Sequence, residues 1–341
     1  MKSFINAIIG GGIDFRNHDF AGIVEETRQL LSNRDWVSQY HEYAKAMLNN
    51  IDEIKNKKSI FHEWSPLYLY MTIGEAKTTT DFQLRYRGQT VASLSVRNDD
   101  VYISTEEFDN NNLTNFGCPI RLKCMRWRDS ETKSFRAYFS NNPIRAKGES
   151  KENEEHRIES LLLTEFSKEK SIEKAICNIQ PVMIADTARF QMRTPLKASI
   201  LSDIEISKKN LGGGIDIISR IGKSRLCIME VKDEYNPKEP PSMAMKQALI
   251  YSTFIRELLR SDGGKSWWQI FGFGGHLPKS LKLTVACVMP LIDNPDISFA
   301  NQSILIENDR LELHYMYFKE NNNKISRIYT SIPQCTVKET N

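Results

Sequence analysis

The chain has 341 residues, of which 40% are hydrophobic and 26% charged, a composition typical of folded rather than disordered proteins. A formal net charge of +3 argues against a protein that is basic over its whole surface, such as a histone-like nucleic-acid binder. The sequence has neither a long apolar stretch nor a signal-peptide pattern, and its six cysteines form no Cys-x-x-Cys pair. We therefore expect reduced thiols in a cytoplasmic protein that makes no contact with a membrane.

The N-terminal half is predicted to begin with helices and continue as a β region. Apolar residues recur at spacings of three and four over residues 20–57, which predicts helix. Short alternating runs separated by turn residues then predict antiparallel strands at 82–86, 90–96, 101–104, 120–127 and 134–139. The polar segment 140–155 predicts a linker. We accordingly divide the chain into an N-terminal domain, 1–150, and a C-terminal domain, 151–341.

The C-terminal half is predicted to mix helices with strands, which indicates an α/β or α+β fold. The predicted elements are a helix at 153–168, strands around Val182 and Phe190, a hairpin at 215–231, a helix at 242–260 and a buried strand at 283–289.

The hairpin carries the residues most suggestive of chemistry. Asp216 is a lone acid in an apolar strand, and alternation in the next strand places Glu230 and Lys232 on one face. If residues 222–224 form a three-residue loop, Ile221 pairs with Arg225 and Asp216 falls opposite Glu230. Their Cβ atoms would then be about 4.5–5.5 Å apart, a distance at which two carboxylates repel unless a cation or a shared proton separates them. Mg²⁺ is such a cation, and Lys232 beside it could orient or deprotonate a water molecule or neutralise charge on a phosphate.

Two predicted helices add polar groups to this picture. Gln247 interrupts the apolar face of helix 242–260 that also carries Tyr251, and a buried amide there needs a partner. Glu155 and Glu159 lie one turn apart on helix 153–168, and either one could supply a further acidic ligand. Acidic residues in the first turn of a helix are also favoured simply by the helix dipole, so both readings stay open.

Taken together, the acidic hairpin and the helix after it resemble the active-site motif of the PD-(D/E)xK nuclease superfamily, which includes restriction endonucleases and RecB-like nucleases. The residues that carry the resemblance are Asp216, Glu230, Val231, Lys232, Gln247 and Tyr251. The resemblance covers about residues 153–290. Ile215 stands where the family has its name-giving proline.

This resemblance implies a restriction endonuclease-like domain, with a mixed central sheet flanked by helices, and a metal-dependent nuclease that hydrolyses phosphodiester bonds. It further implies Mg²⁺, with Mn²⁺ as a substitute, held by Asp216, Glu230 and the carbonyl of Val231, while Lys232 acts on the attacking water. Gln247 and Tyr251 resemble the additional motif of RecB-like members. DNA is the expected substrate, and a restriction or defence role would follow from the family alone.

The N-terminal half shows no family resemblance, but part of it is basic. Residues 119–149 hold eight Lys or Arg against three Asp or Glu, and Arg126 and Arg128 are predicted to share one strand face that could contact phosphates. The alternative is an ordinary solvated face. We expect nucleic acid as the partner, contacted also by Tyr251, and a homodimer if both strands are cut. The rival function is a non-catalytic protein that binds nucleic acid or another partner through a degenerate nuclease fold.

Overall fold

The computed structural model describes residues 19–56, 65–74, 80–97, 100–105, 116–141, 153–169, 175–197, 205–206, 212–233, 240–333 and 335. These residues form a mixed α/β protein, about 35% helix and 35% strand, in which helices flank two mixed sheets. Most of the predicted linker, including the boundary at residue 150, lies outside the described residues. Among the helices that are described, none combines the length and the apolarity needed to cross a membrane.

Two helices of the C-terminal half lie where the sequence predicts them, at 154–166 and 241–259, whereas a third, at 264–270, was not predicted and the N-terminal half holds a helix in place of a predicted strand. They are α1 Phe20–Leu31, α2 Asp35–Asn56, α3 Ser130–Asn141, α4 Glu154–Phe166, α5 Pro241–Leu259 and α6 Gly264–Ile270. The predicted helical segment 20–57 is interrupted at residues 32–34. The strand predicted at 134–139 is wrong: α3 buries Thr132, Phe135 and Phe139, a helical spacing that the aromatic content of the segment obscured.

The strands of the first half of the chain are β1 Leu67–Ile73, β2 Thr80–Tyr86, β3 Gln89–Arg97, β4 Asp100–Ser104 and β5 Met125–Arg126. Those that follow are β6 Ile179–Pro181, β7 Met183–Ile184, β8 Ala188–Arg193, β9 Leu196–Lys197, β10 Glu205–Ile206, β11 Gly214–Ile215, β12 Ile217–Ile221, β13 Arg225–Val231, β14 Lys282–Pro290, β15 Ser303–Ile306, β16 Asp309–Asn321 and β17 Lys324–Thr330.

The first sheet has the order β11-β8-β1-β2-β3-β4-β5, with β7 also paired to β8. Strands β1 to β4 are antiparallel neighbours, as predicted, while β8 joins β1 in parallel. The strand predicted at 120–127 shrinks to two residues, because Cys124 adopts a left-handed conformation that ends the extended run. The first sheet thus takes strands from both sides of residue 150.

The second sheet has the order β15-β16-β14-β13-β12-β6, with β17 paired to β16. Ile221 pairs with Arg225, which confirms the predicted hairpin register of β12 and β13. Ile228 and Val285 belong to the core that contains α5, whereas Met229 and Ala286 belong to the core that contains α4. The two helices therefore pack on opposite faces of this sheet, and both bring side chains to the end of β13.

The cysteines depart from expectation in one place. Cys177 and Cys335 form a disulfide across 158 residues of sequence, so the expectation of reduced thiols is wrong for this pair. Cys118, Cys227 and Cys287 are buried free thiols. No short cysteine motif in the sequence predicts this disulfide, because only the fold brings such distant positions together.

Candidate active site

Asp216 lies where the chain passes from one sheet to the other. Gly214 and Ile215 pair with β8 in the first sheet, and Ile217 begins β12 in the second, so the strand predicted over 215–221 bends at Asp216. The bend leaves its carboxylate at the end of β13, where Asp216 Oδ2 accepts a hydrogen bond of 2.8 Å from the Val231 amide. The predicted proximity of Asp216 to Glu230 follows from the same register.

Glu230 and Lys232 project from the end of β13 into the same buried space, as the strand alternation predicts. Glu230 is 5% exposed and Lys232 is 7% exposed. The Nζ atom of Lys232 lies 2.8 Å from Glu230 Oε1 and 3.5 Å from Glu155 Oε1. The ammonium of Lys232 therefore contacts two carboxylates, and Asp216 is a third acid nearby.

Helix α4 brings both candidate glutamates to this place. Asn153 caps the helix by accepting a hydrogen bond from the His156 amide at 3.2 Å, which fixes its start. Glu155 is partly exposed and pairs with Lys232, while the side chain of Glu159 is only 2% exposed and its Oε2 lies 3.3 Å from His156 Nδ1. We define the acidic cluster as the carboxylates of Asp216, Glu230, Glu155 and Glu159 together with Lys232.

The acidic cluster carries an excess of negative charge. Burial raises the pKa of Asp216 well above its usual range, and Glu230 and the two helix glutamates raise it further, against the opposing effect of Lys232. Burial acts to lower the pKa of Lys232, but the surrounding carboxylates outweigh it and raise that pKa. Glu230, Glu155 and Asp216 all act on the ammonium of Lys232, an excess of negative charge that is costly unless another positive charge or a proton is added.

Helix α5 closes the acidic cluster with Tyr251 and places Gln247 one turn earlier, half-buried. Burial raises the pKa of Tyr251, and Glu230 and Asp216 raise it further, so the phenol lies close to the acids. The Tyr251 hydroxyl is 2.4 Å from where a Cβ on Gly213 would be. Gly213 is therefore required for the close approach of α5, a role that its place in a glycine run before Asp216 could have suggested.

Arg126 and Arg128 are not brought to the acidic cluster by the strand order. Both are exposed, and Arg126 lies on β5, at the opposite edge of the first sheet from β11. The alternation that placed them on one face does not hold, since β5 ends at Arg126 and Arg128 falls in the turn after it. Arg126 also lies 3.8 Å from Asp100, which offsets part of its charge.

Arg85 and Tyr70, from the first sheet, lie beside Glu159, a proximity that was not predicted from the sequence. The Arg85 guanidinium packs over the Tyr70 ring at 4.3 Å and donates to Gln191 Oε1 at 2.7 Å. Burial lowers the pKa of Arg85, while Tyr70 and Glu159 act to raise it. An arginine between Leu84 and Tyr86 in a strand indicates a buried charge that needs a partner, but no local pattern relates residue 85 to residue 159.

The oxygen donors of the acidic cluster meet the requirements of Mg²⁺ only in part. Across the described part of the chain, no group of three or more His, Cys, Asp or Glu side chains has the arrangement of a preformed metal centre. Mg²⁺, however, is usually held by one or two carboxylates and keeps several waters. Asp216 and Glu230, with the carbonyl of Val231, match that requirement, and the surplus of negative charge favours a divalent cation there.

Comparison with known proteins gives no independent guide to the function. No family model matches the chain, and searches among curated proteins and solved structures found no significant match.

Proposed function

We propose that the protein is a metal-dependent nuclease that hydrolyses phosphodiester bonds, with DNA as its substrate. The observation that carries the proposal is the convergence of Asp216, Glu230 and Lys232 at the end of β13. Asp216 contacts the Val231 amide at 2.8 Å, and Lys232 contacts Glu230 at 2.8 Å. An acid whose pKa is raised by burial and by neighbouring charges, as that of Asp216 is, indicates a candidate functional site when it lies beside a buried cation.

The residues divide the chemistry among them. Asp216, Glu230 and the Val231 carbonyl are the groups that would hold Mg²⁺, with Mn²⁺ as a substitute. When bound, the metal stabilises negative charge on the phosphate and makes a water molecule more acidic. Lys232 supplies a fixed positive charge for the attacking water or the phosphate, and its contact with Glu155 at 3.5 Å orients it.

The helix α5 supports substrate binding in this proposal. Tyr251 presents a hydroxyl at the wall of the acidic cluster, and Gln247 presents an amide one turn earlier on the helix. Both groups donate hydrogen bonds without adding charge, which suits contact with a phosphate beside several carboxylates. The resemblance to RecB-like nucleases gives them the same place.

A second candidate function is a non-catalytic protein that binds nucleic acid through the same fold. One observation favours it: Lys232 Nζ lies 2.8 Å from Glu230 Oε1 and thereby occupies an oxygen that a metal would use. An ion pair that replaces the metal is a natural end state for a degenerate site. The two candidates differ in metal dependence and turnover.

The test is cleavage of plasmid DNA, single-stranded DNA and RNA with Mg²⁺, with Mn²⁺ and with a chelator. We expect cleavage of DNA that the chelator abolishes and that Asp216→Asn lowers by about a thousandfold, the loss of roughly 4 kcal/mol of metal-supplied stabilisation. Glu230→Gln is expected to have a similar effect.

Asp262→Asn is the matched control, because Asp262 is exposed in the turn after α5 and the charge change is the same. It should cleave like the wild type. Cleavage that persists in Asp216→Asn and Glu230→Gln contradicts the assignment of these residues. Tight binding of nucleic acid without cleavage under every condition supports the second candidate instead.

A further inference from the structure

One face of the first sheet is directed toward α4 and carries polar side chains. Leu69 and Met71 of β1 belong to the core that contains α5, whereas Tyr70, which lies between them, belongs to the core that contains α4. Strand pairing and the alternation of side chains place Arg85 of β2 and Gln191 of β8 on the same face as Tyr70. Both polar groups therefore lie on the side of the sheet where α4 carries the glutamates of the acidic cluster.

Arg85 is a buried cation, 7% exposed, whose contacts in the described residues are neutral. Its Nε and Nη2 atoms donate to Gln83 Oε1 at 3.1 and 2.8 Å, and Nη2 also donates to Gln191 Oε1 at 2.7 Å. Its guanidinium packs over the Tyr70 ring at 4.3 Å. No carboxylate in the described part of the chain forms an ion pair with Arg85. A buried charge in such surroundings is costly unless an anion joins it.

Glu159 is the acid that acts on Arg85, but it has a closer partner. Burial lowers the pKa of Arg85, Tyr70 and Glu159 oppose that effect only in part, and the like charge of Arg193 adds to it. Glu159 Oε2 instead lies 3.3 Å from His156 Nδ1. The positive charge of Arg85 is therefore not offset by a contacting acid of the described residues.

The side-chain amide nitrogen of Gln191 lies beside the backbone that leads to Asp216. A Cβ on Gly214 would be 3.8 Å from Gln191 Nε2, and among the described residues no other atom outside the adjacent chain would come within 4 Å of it. Gly214 is half-buried and stands two residues before Asp216. The space next to Gln191 is therefore open on the side of the acidic cluster, and Arg85 reaches the same place through its hydrogen bond with Gln191.

We propose that Arg85 and Gln191 bind a backbone phosphate of the nucleic acid, next to the phosphodiester group that is cleaved at the acidic cluster. The guanidinium forms strong, charge-assisted hydrogen bonds with phosphate oxygens, and the Gln191 amide adds an uncharged N–H donor. Contacts of this kind fix the position of a strand without reading its sequence. Arg85 thereby gives the N-terminal half, which shows no family resemblance, a place in substrate binding. The choice of ligand rests on the proposed nuclease function.

The test is the binding of a fluorescent DNA duplex to the full-length protein, measured by anisotropy over a range of salt concentrations in a chelator. We expect Arg85→Met to weaken binding by about tenfold or more, the loss of a charge-assisted hydrogen bond, and to reduce the slope of log affinity against log salt by about 0.9. Arg85→Lys should keep the slope, because it keeps one positive charge. Gln191→Leu should weaken binding by about fivefold without changing the slope, because it removes a neutral donor.

Arg310→Met is the matched control, with the same change of charge. Arg310 is exposed and pairs with Lys282 at the start of β14, whereas the acidic cluster lies near the end of that strand, where Val231 pairs with Val288. Its affinity and slope should equal those of the wild type. Urea titration separates a phosphate site from a structural role. Because the buried charge of Arg85 has no acid in contact, the urea midpoint of Arg85→Met should equal or exceed that of the wild type.

Wild-type affinity and slope in Arg85→Met, or a marked fall in its urea midpoint, overturns the proposal, since Arg85 would then be dispensable for binding or required for the fold. Wild-type protein that binds no DNA overturns it as well, and cleavage of DNA with Mg²⁺ in the same preparation shows whether the nuclease function survives. Binding that depends on Arg85 in a protein that cleaves no DNA supports the phosphate site and contradicts the nuclease function.

Discussion

Two aspartates in this protein, Asp309 buried and Asp216 half-buried, have opposite surroundings. Asp309, 2% exposed, accepts hydrogen bonds from Arg256 and Arg260 and from the Leu281 amide, and these contacts outweigh burial and lower its pKa. Asp216 shares its space with three other carboxylates and a single lysine, and its pKa is raised. The same side chain is thus paired with cations at one end of the second sheet and surrounded mainly by like charges at the other. Satisfied buried charges hold a fold together, whereas unsatisfied ones are characteristic of sites that bind something.

The largest effect on stability should come from the satisfied aspartate. Asp309→Asn removes the most deeply buried of the three carboxylates, Glu257, Glu307 and Asp309, that pair with Arg256, whose side chain is 4% exposed. We expect the free energy of unfolding to fall by about 3 to 5 kcal/mol, as for other broken buried ion pairs, in urea titrations followed by circular dichroism. A loss below about 1 kcal/mol would mean that Asp309 is no more satisfied than a surface ion pair.

Gly213→Ala tests how closely the acidic cluster is packed. The added methyl group would meet the Tyr251 hydroxyl at 2.4 Å, so we expect a loss of about 2 kcal/mol in stability from overpacking. Tyr251→Phe, which removes that hydroxyl, should restore most of the loss in the double variant. If the two changes are simply additive, the contact between Gly213 and Tyr251 does not limit the packing.

Asp216→Asn should have the opposite sign from Asp309→Asn. Removing one of four neighbouring carboxylates relieves repulsion, so we expect the metal-free protein to gain about 1 kcal/mol in its free energy of unfolding. Urea titration in a chelator measures it. A loss as large as that of Asp309→Asn would show that Asp216 contributes to the fold in the same way as Asp309, which would remove the contrast between the two sites.

The pH dependence of stability gives the most sensitive distinction between the two aspartates. The folded pKa of Asp309 is lowered, so the stability that it contributes is present above about pH 4, the unfolded pKa, and is lost as the pH falls through the folded pKa. The folded pKa of Asp216 is raised, so its contribution is present below about pH 4 and is lost as the pH rises through the folded value. Differences in stability between wild type and each Asn variant, measured against pH in a chelator, should therefore have slopes of opposite sign. Slopes of the same sign would contradict this account.

The residues that the sequence located correctly are those whose relationships are local. The loop at 222–224 and the alternation of two strands were enough to place Glu230 and Lys232 side by side and to set the hairpin register. Helical spacing likewise placed Glu155 and Glu159 one turn apart, and both lie in the acidic cluster. Short-range geometry was therefore enough to predict most of the candidate site.

The features that the sequence missed depend on long-range pairing. Arg85 on β2 lies beside Glu159 on α4, and no local pattern relates two elements so far apart in the chain. The interruption of the strand at Asp216 has the same origin, because it depends on which sheet each half of that strand joins. The helix α3 was missed for another reason: its aromatic residues have high strand propensity, and the tertiary fold overrides it.

The central claim is that the acidic cluster is a metal site, and equilibrium unfolding with and without Mg²⁺ tests it most directly. A site that binds only the folded protein should add about 2.7 kcal/mol to the free energy of unfolding at a metal concentration about 100 times the dissociation constant. We predict this gain for the wild type and for Asp309→Asn, each relative to its own metal-free state, and no gain for Asp216→Asn. An equal gain in Asp216→Asn would contradict the account.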